Sequence, residues 1–366
     1  MNSNGWTIRQ DQRILLLLLG GIGDILLFTP ALEALAKEFP GVPIDAVIRN
    51  NGGKRVLKYN PHIDQMIIYH RDQSNRKVQQ LKLIREIIKR RYKVSITHGV
   101  DSHYKTGLLA LLSGAKKRIG LSVGRRGIFY NQKVQIPSGL HLMHRNYVLV
   151  KQAGVQQPLD EIPRFYLDSE ERLFAHQFME QHHIIPSDFI VGIHPGGGLW
   201  RQGRRWPKEN FIELINRLKQ ERRPKIFLLG GPDEKSLLNE IFEETQPGVV
   251  FSDNLPTLGE FGALMEQFNL FLSNDSGLLH IAEAMGTPTI ALFGPTDYRL
   301  FAPIGKQHLA LRKDLPCSPC IDINNSQSDA CQDLTCLKSI SVSEVFDAIM
   351  DRVNHPDILR RDPVHR

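Results

Sequence analysis

Five turns in this chain end an apolar run on glycine or small polar residues and follow it with groups that bind anions or move protons. The first lies in LLLLLGGIGDILLFTPALEAL, residues 15–35, where Gly20, Gly21 and Gly23 precede a single acid, Asp24. The turn lacks the third glycine of a dinucleotide fingerprint and the GK[ST] of a P-loop. A phosphate also needs the bare, positive start of a helix, and Asp24 would repel it there. Two readings fit Asp24. It caps the helix, a contribution of about 1 kcal/mol, or it is a general base at the carboxyl end of the first strand, where α/β sites lie.

The second half of the chain offers better anion sites. In IHPGGGLWRQGRRWPKENF a buried strand runs into Gly196, Gly197 and Gly198, and Arg201, Arg204 and Arg205 precede a helix opened by Pro207 at its first position. Guanidinium groups beside a flexible loop suit a diphosphate through charge-assisted, often bidentate bonds. In FLSNDSGLLHIAEAMGTPTIALFGPTD a strand ends in Asn274, Asp275, Ser276 and Gly277, with His280 on the first turns of the next helix. Asp275 or Ser276 can cap that helix and His280 can be a satisfied core residue. The same turn leaves amides free to cradle a phosphate. The FGPTD strand end, with Gly294, Thr296 and Asp297, forms an adjacent lip. LLGGPDE adds Asp233 and Glu234, carboxylates suited either to sugar hydroxyls or to capping.

Positioning these turns requires strands that alternate with helices, and the pattern predicts an α/β chain with parallel sheets, built twice. Strands are expected over residues 13–19, 44–48, 65–69 and 93–97, then over 189–194, 225–229, 270–273 and 289–293. QAGVQQPLDEIPRFYLDSEE reads as the linker between the two cycles. The expected division is 1–165, 166–345 and a closing helix end and tail, 346–366. The longest apolar run, residues 14–19, is far below the ~20 needed to cross a bilayer, so a cytoplasmic location is expected.

Charge divides the chain as well. Residues 1–165 carry 26 Lys and Arg against 11 Asp and Glu, and the remainder carries 20 against 28. Such a basic front half can serve nucleic acid, an anionic membrane or an acidic substrate. Nucleic acid is disfavoured, because the aromatic interleaving of single-strand binders is missing around residues 82–93. An incomplete fingerprint also argues against an NAD oxidoreductase. Cys317, Cys320, Cys331 and Cys336 are all the cysteines of the chain, and their spacings of two, ten and four residues permit a tetrahedral zinc or iron site. Unligated thiols fit equally.

Taken together and in order, RILLLLLGGIGDILLFTPALEAL, HPGGGLWRQGRRWP, LLGGPDE, NDSGLLHIAEAMGTPTIALFGPTD and the closing SISVSEVFDAI resemble glycosyltransferase family 9, the heptosyltransferases of the lipopolysaccharide inner core. The resemblance implies a GT-B fold, two Rossmann-like domains facing a cleft. It implies an inverting transfer of heptose from ADP-heptose, with Asp24 matching the catalytic base and no metal or cofactor required for catalysis. By the same resemblance Asp275, Ser276, Gly277 and His280 match the donor-binding turn, joined by Gly196, Gly197, Arg204, Arg205, Glu234, Gly294 and Thr296. Arg204 falls where relatives often carry lysine. Gly21, Gly23, Arg125 and Arg126 are expected on the acceptor side. Together with Lys89, Arg90, Arg91, Lys93, Lys116, Lys117 and Arg118, those arginines are expected to draw an anionic lipid-linked oligosaccharide and to hold the enzyme peripherally on the cytoplasmic face of the inner membrane. Another GT-B nucleotide-sugar transferase or a sugar-nucleotide epimerase is the alternative.

Overall fold

The computed structural model describes residues 8–69, 76–100, 104–122, 124–197, 202–221, 224–251, 257–321, 331 and 333–355; the side chains of residues 76, 77, 124–126 and 202 lie outside that description. The chain forms two units, residues 1–166 with 323–325, and residues 167–322 with 326–366.

The first unit carries β1 (Arg13–Leu18), β2 (Ile44–Ile48), β3 (Gln65–Ile68), β4 (Tyr92–Thr97), β5 (Lys117–Leu121) and β6 (Gln132–Val134), all parallel, in the order β3-β2-β1-β4-β5-β6. β1 reads RILLLL because a central parallel strand is covered on both faces. Leu15 and Leu17 pack with Val47, Leu83, Ile87 and Leu109 on one side, and alternation turns Ile14, Leu16 and Leu18, equally buried, to the other. At the amino edge of this sheet the buried Asp45 accepts hydrogen bonds from Arg13 Nη1 (3.1 Å), Arg90 Nη1 (3.1 Å) and the Tyr92 hydroxyl (2.8 Å). Burial, with Asp45 beside it, pushes the Tyr92 hydroxyl far above its ordinary pKa.

The second unit repeats the plan with β7 (Phe189–His194), β8 (Pro224–Leu228), β9 (Val249–Val250), β10 (Leu270–Asn274), β11 (Thr289–Leu292) and β12 (His308–Leu311), in the order β12-β11-β10-β7-β8-β9. Helix Lys208–Gln220 buries Phe211, Leu214, Ile215 and Leu218, a single stripe at helical spacing. That stripe meets Val191 and Ile193 of β7, Leu270 and Leu272 of β10, and Val345 and Ile349 of the closing helix Val342–Asn354. Pro207 is the extended N-cap of the first of these helices rather than its first helical residue.

Both sheets have the strand order of a doubly wound fold. In each, the chain lays three strands outward to one side and then returns to the other side of the first. Ligands of such sheets bind outside the carboxyl ends of the two strands flanking that reversal. Those strands are β1 and β4 in the first unit, β7 and β10 in the second.

Candidate active site

In the second unit the reversal point is tied together by buried polar side chains. Asn274, the last residue of β10, donates from Nδ2 to the carbonyls of Pro195 (2.9 Å) and Gly196 (2.8 Å), and its Oδ1 accepts the Trp206 amide at 3.0 Å. Glu234 performs the same service across β7 and β8. Its Oε1 accepts the Gly197 N–H at 2.8 Å, and Oε2 accepts the Gly231 N–H at 2.9 Å and stands 2.9 Å from His194 Nε2. Gly196 is glycine because of this carboxylate: a Cβ there would lie 1.9 Å from Glu234 Oε1. His194 Nδ1 faces the hydroxyls of Ser273 (3.0 Å) and Ser276 (3.2 Å). Ser276 caps helix Gly277–Ala284 by accepting the Leu279 amide. Arg204 Nη1 bonds Asp275 Oδ2 at 2.7 Å, both residues being buried, and Arg205 Nη2 comes within 3.9 Å of Glu234 Oε1. Gly196, Gly197, Arg204, Arg205, Glu234, Asp275, Ser276 and Gly277 are thus gathered at one strand-end junction. It presents guanidinium charge and the N-terminal amides of a capped helix.

Three further expected donor residues differ from one another. His280 is buried, with Nδ1 3.0 Å from Glu283 Oε2, while Glu283 Oε1 accepts the Ile304 amide. Burial pushes the Glu283 carboxyl up, but the bond and charge of His280 outweigh it and hold the group below its ordinary value. Gly294 makes room for its own chain, since a Cβ there would meet Leu337 Cγ at 2.5 Å and Cys336 Sγ at 3.0 Å. Thr296 is 3 % exposed, and its Oγ1 has no hydrogen-bond partner among the described residues.

The segment with the first two cysteines docks on the same turn: the Cys320 and Ile321 amides donate to the Pro295 carbonyl (3.0 Å each), and Ser318 Oγ to that of Gly294 (2.7 Å). Cys317 and Cys320 are exposed, Cys331 half-buried and Cys336 buried. Burial, then the neighbouring Cys331 and Cys317, raise the Cys320 thiol. Among the described residues no three His, Cys, Asp or Glu side chains converge as a metal-ligand set.

In the first unit Asp24 is not the cap residue itself. Gly21 is the N-cap of helix Ile22–Leu26, and Asp24, at its third position, reaches back so that Oδ2 accepts the Gly21 N–H at 2.7 Å. Gly20 and Gly21 permit that approach; a Cβ on Gly20 would lie 2.6 Å from Asp24 Cβ. Asp24 stays partly exposed, makes no ion pair among the described residues, and its Oδ1 makes no hydrogen bond among them. Across the reversal point, Asn146 accepts the Gly99 N–H (2.7 Å) and donates to the Leu27 carbonyl (2.8 Å). Arg145 Nε donates to the Gly99 carbonyl at 2.8 Å, and burial lowers the Arg145 pKa. Sequence reasoning missed Asn146, Arg145 and His98; the available signal is the small turn His98-Gly99 directly after a buried strand.

Of the expected basic cluster, Arg90 is engaged with Asp45 and Glu86, and Arg118 with the carbonyls of Phe129 and Ala115. Arg125 and Arg126 lie in the 3-10 turn Gly124–Phe129, and their side chains fall outside the described residues, as do Gly198 and Arg201 entirely. No described helix is long and apolar enough to cross a membrane.

Residues 80–330 match the family "Glycosyltransferase family 9 (heptosyltransferase)". Lipopolysaccharide heptosyltransferase 3 of Escherichia coli is 26 % identical over 291 residues, covering 77 % of this chain and 83 % of that protein. The crystal structure of a family 9 glycosyl transferase from Veillonella parvula DSM 2008 superposes with a TM-score of 0.77 at 24 % identity, covering 94 % of this chain and 97 % of the other. E. coli ADP-heptose lps heptosyltransferase II superposes with a TM-score of 0.74 at 19 % identity, covering 94 % of this chain and 100 % of the other. These solved structures share the two-sheet α/β architecture described above.

Proposed function

The chain belongs to glycosyltransferase family 9, the heptosyltransferases, and on that premise we propose that it transfers heptose, with inversion, from ADP-heptose to an anionic lipid-linked oligosaccharide of the lipopolysaccharide inner core. The donor is suggested by the E. coli relative whose name carries ADP-heptose, the acceptor by the lipopolysaccharide heptosyltransferase. The observation that carries the mechanism is Asp24 at the end of β1, with Oδ2 fixed by the Gly21 N–H and Oδ1 unengaged among the described residues.

A carboxylate held by one oxygen is oriented without being neutralised. Asp24 Oδ1 takes the proton of the acceptor hydroxyl as that oxygen attacks the anomeric carbon, and the bond to the diphosphate breaks on the opposite face. Charge developing on the departing diphosphate is met by the guanidinium groups of Arg204 and Arg205 and by the first amides of helix Gly277–Ala284. Asp275, paired with Arg204 at 2.7 Å, fixes the direction of that guanidinium.

Asp24→Asn keeps the shape and removes the base. Turnover is expected to fall about 10³-fold, within the range general-base catalysis contributes, while ADP-heptose affinity changes less than about threefold. Both are measured together, by initial rates and by calorimetric titration of the donor. Retained turnover with lost donor binding would overturn the assignment.

Two further parts of the reading rest on charge and thiol chemistry. The basic first unit holds the protein against an anionic membrane on its cytoplasmic face; co-sedimentation with anionic vesicles, abolished by salt, checks this. A structural zinc or iron outside the chemistry would require the four cysteines, of which no three converge among the described residues, to draw together; elemental analysis of the purified protein checks whether they hold one.

A further inference from the structure

His98 is the first residue after β4, one position beyond the Leu17–Thr97 pair that joins β4 to β1. It therefore stands at the reversal point of the first unit, on the strand neighbouring the one that leads to Asp24. It is only 5 % exposed, and its Nδ1 is buried with no hydrogen-bond partner among the described residues. A buried polar atom left so is destabilising, and native structures rarely keep one without a use.

The backbone next to the ring is held in place. The backbone of Gly99 is pinned on both sides, its N–H by Asn146 and its carbonyl by Arg145. A Cβ on Gly99 would come 2.7 Å from Arg145 Cβ, so the helix Leu142–Lys151 closes directly on this turn. Asn146 also holds the Leu27 carbonyl, at the C-cap of the helix that bears Asp24. One buried amide thus ties the His98 turn to the Asp24 helix. Two other unpartnered hydroxyls of β4, Ser95 and Thr97, differ: their register partners Leu15 and Leu17 face the apolar cluster around Leu83, Ile87 and Leu109.

We infer that His98 is a second acceptor-side residue, whose imidazole Nδ1 hydrogen-bonds a hydroxyl of the acceptor sugar and so sets which hydroxyl is presented to Asp24. The inference rests on the reading of Asp24 as the base. It gives the acceptor two anchors, one on the helix after β1 and one directly after β4, and it assigns the orphaned nitrogen the partner it lacks. A saccharide presents adjacent hydroxyls, each a donor and an acceptor, so either tautomer of a neutral imidazole is served.

The test compares His98→Leu, His98→Asn and Asp24→Asn in the full-length protein, with ADP-heptose and a panel of lipopolysaccharides truncated stepwise through the inner core. His98→Leu is expected to raise the acceptor KM ten- to a hundredfold, leave the donor KM unchanged and leave or raise the melting temperature, since it removes an unsatisfied polar atom. His98→Asn, whose amide falls near the position of Nδ1, should recover most of the acceptor affinity. A lowered melting temperature with unchanged acceptor KM would make His98 a structural residue and overturn the inference. If Asp24→Asn collapses turnover while the His98 variants behave as wild type, this inference alone fails. If wild type turns over no member of the panel, the functional reading fails and takes the inference with it.

Discussion

A carboxylate bonded by three donors, two from the end of β7 and its following loop and one from its own turn, is a structural hub whatever else it touches, and Glu234 is such a group. Glutamine at this position offers one oxygen and two N–H groups where the protein supplies only donors. Glu234→Gln is therefore expected to leave at least one buried donor unsatisfied and to lower unfolding free energy by about 2–3 kcal/mol, measured by denaturant titration. The loop bearing Arg205 should loosen with it, weakening ADP-heptose binding in the same preparation. Unchanged stability would reduce Glu234 to an optional contact. The place of Asp24 in the first turn of the helix after β1 is legible in the sequence, from the apolar run and the glycines that precede it. The role of Glu234 is half legible: its bond to the Gly231 amide is the capping that LLGGPDE offers, whereas His194 and Gly197 come from elsewhere in the chain.

At the scale of elements, caps separate what stabilises from what also serves the site. Ser341 and Glu344 form a capping box at helix Val342–Asn354, remote in sequence from every turn discussed. Ser276 caps helix Gly277–Ala284 and also faces His194. Ser341→Ala is expected to cost about 1 kcal/mol and leave activity intact. Ser276→Ala is expected to cost at least as much and to raise the donor KM as well. Thermal melts alongside steady-state rates distinguish the two; equal kinetics would remove Ser276 from the donor turn. The central strands are readable from unbroken apolar runs, because both faces are covered. Three of the four edge strands are not: β6 is the three-residue QKV, β9 only Val249–Val250, and β12 half-buried throughout. Their strand state comes from a neighbour's open hydrogen bonds rather than from their own composition.

For the whole molecule, acid is the expected weakness. His308 lies beside Thr289, its ring nitrogen 2.9 Å from Oγ1. Burial outweighs the opposing charge of Glu283 and, aided by the nearby His280 and Arg352, pushes it down from 6.5 to about 4. A histidine depressed on folding is neutral in the native state and takes up a proton more readily when unfolded. The stability it permits is complete above pH 6.5 and is lost progressively as pH falls towards 4, by up to about 3 kcal/mol. His308→Gln should flatten that limb of the stability profile, followed by urea midpoints between pH 7 and 4; an unaltered limb would clear His308 of the effect. The same two-unit body carries its net charge unevenly, positive through residue 165 and negative beyond. Activity on a membrane-borne acceptor should therefore fade with salt sooner than activity on a delipidated one.

Asn146 and Asn274 each hold a strand reversal with both ends of one amide: Asn146 accepts from the Gly99 turn and gives to Leu27, while Asn274, at the end of β10, accepts from and gives to the loop that follows β7. No isosteric residue can do both, since aspartate loses the donor and leucine loses donor and acceptor alike. Slow hydrolysis of either amide to the acid would swap attraction for repulsion at a carbonyl without altering volume. The mouths of both sheets would then part while their apolar interiors stayed whole, so an aged preparation would lose turnover before it lost its fold.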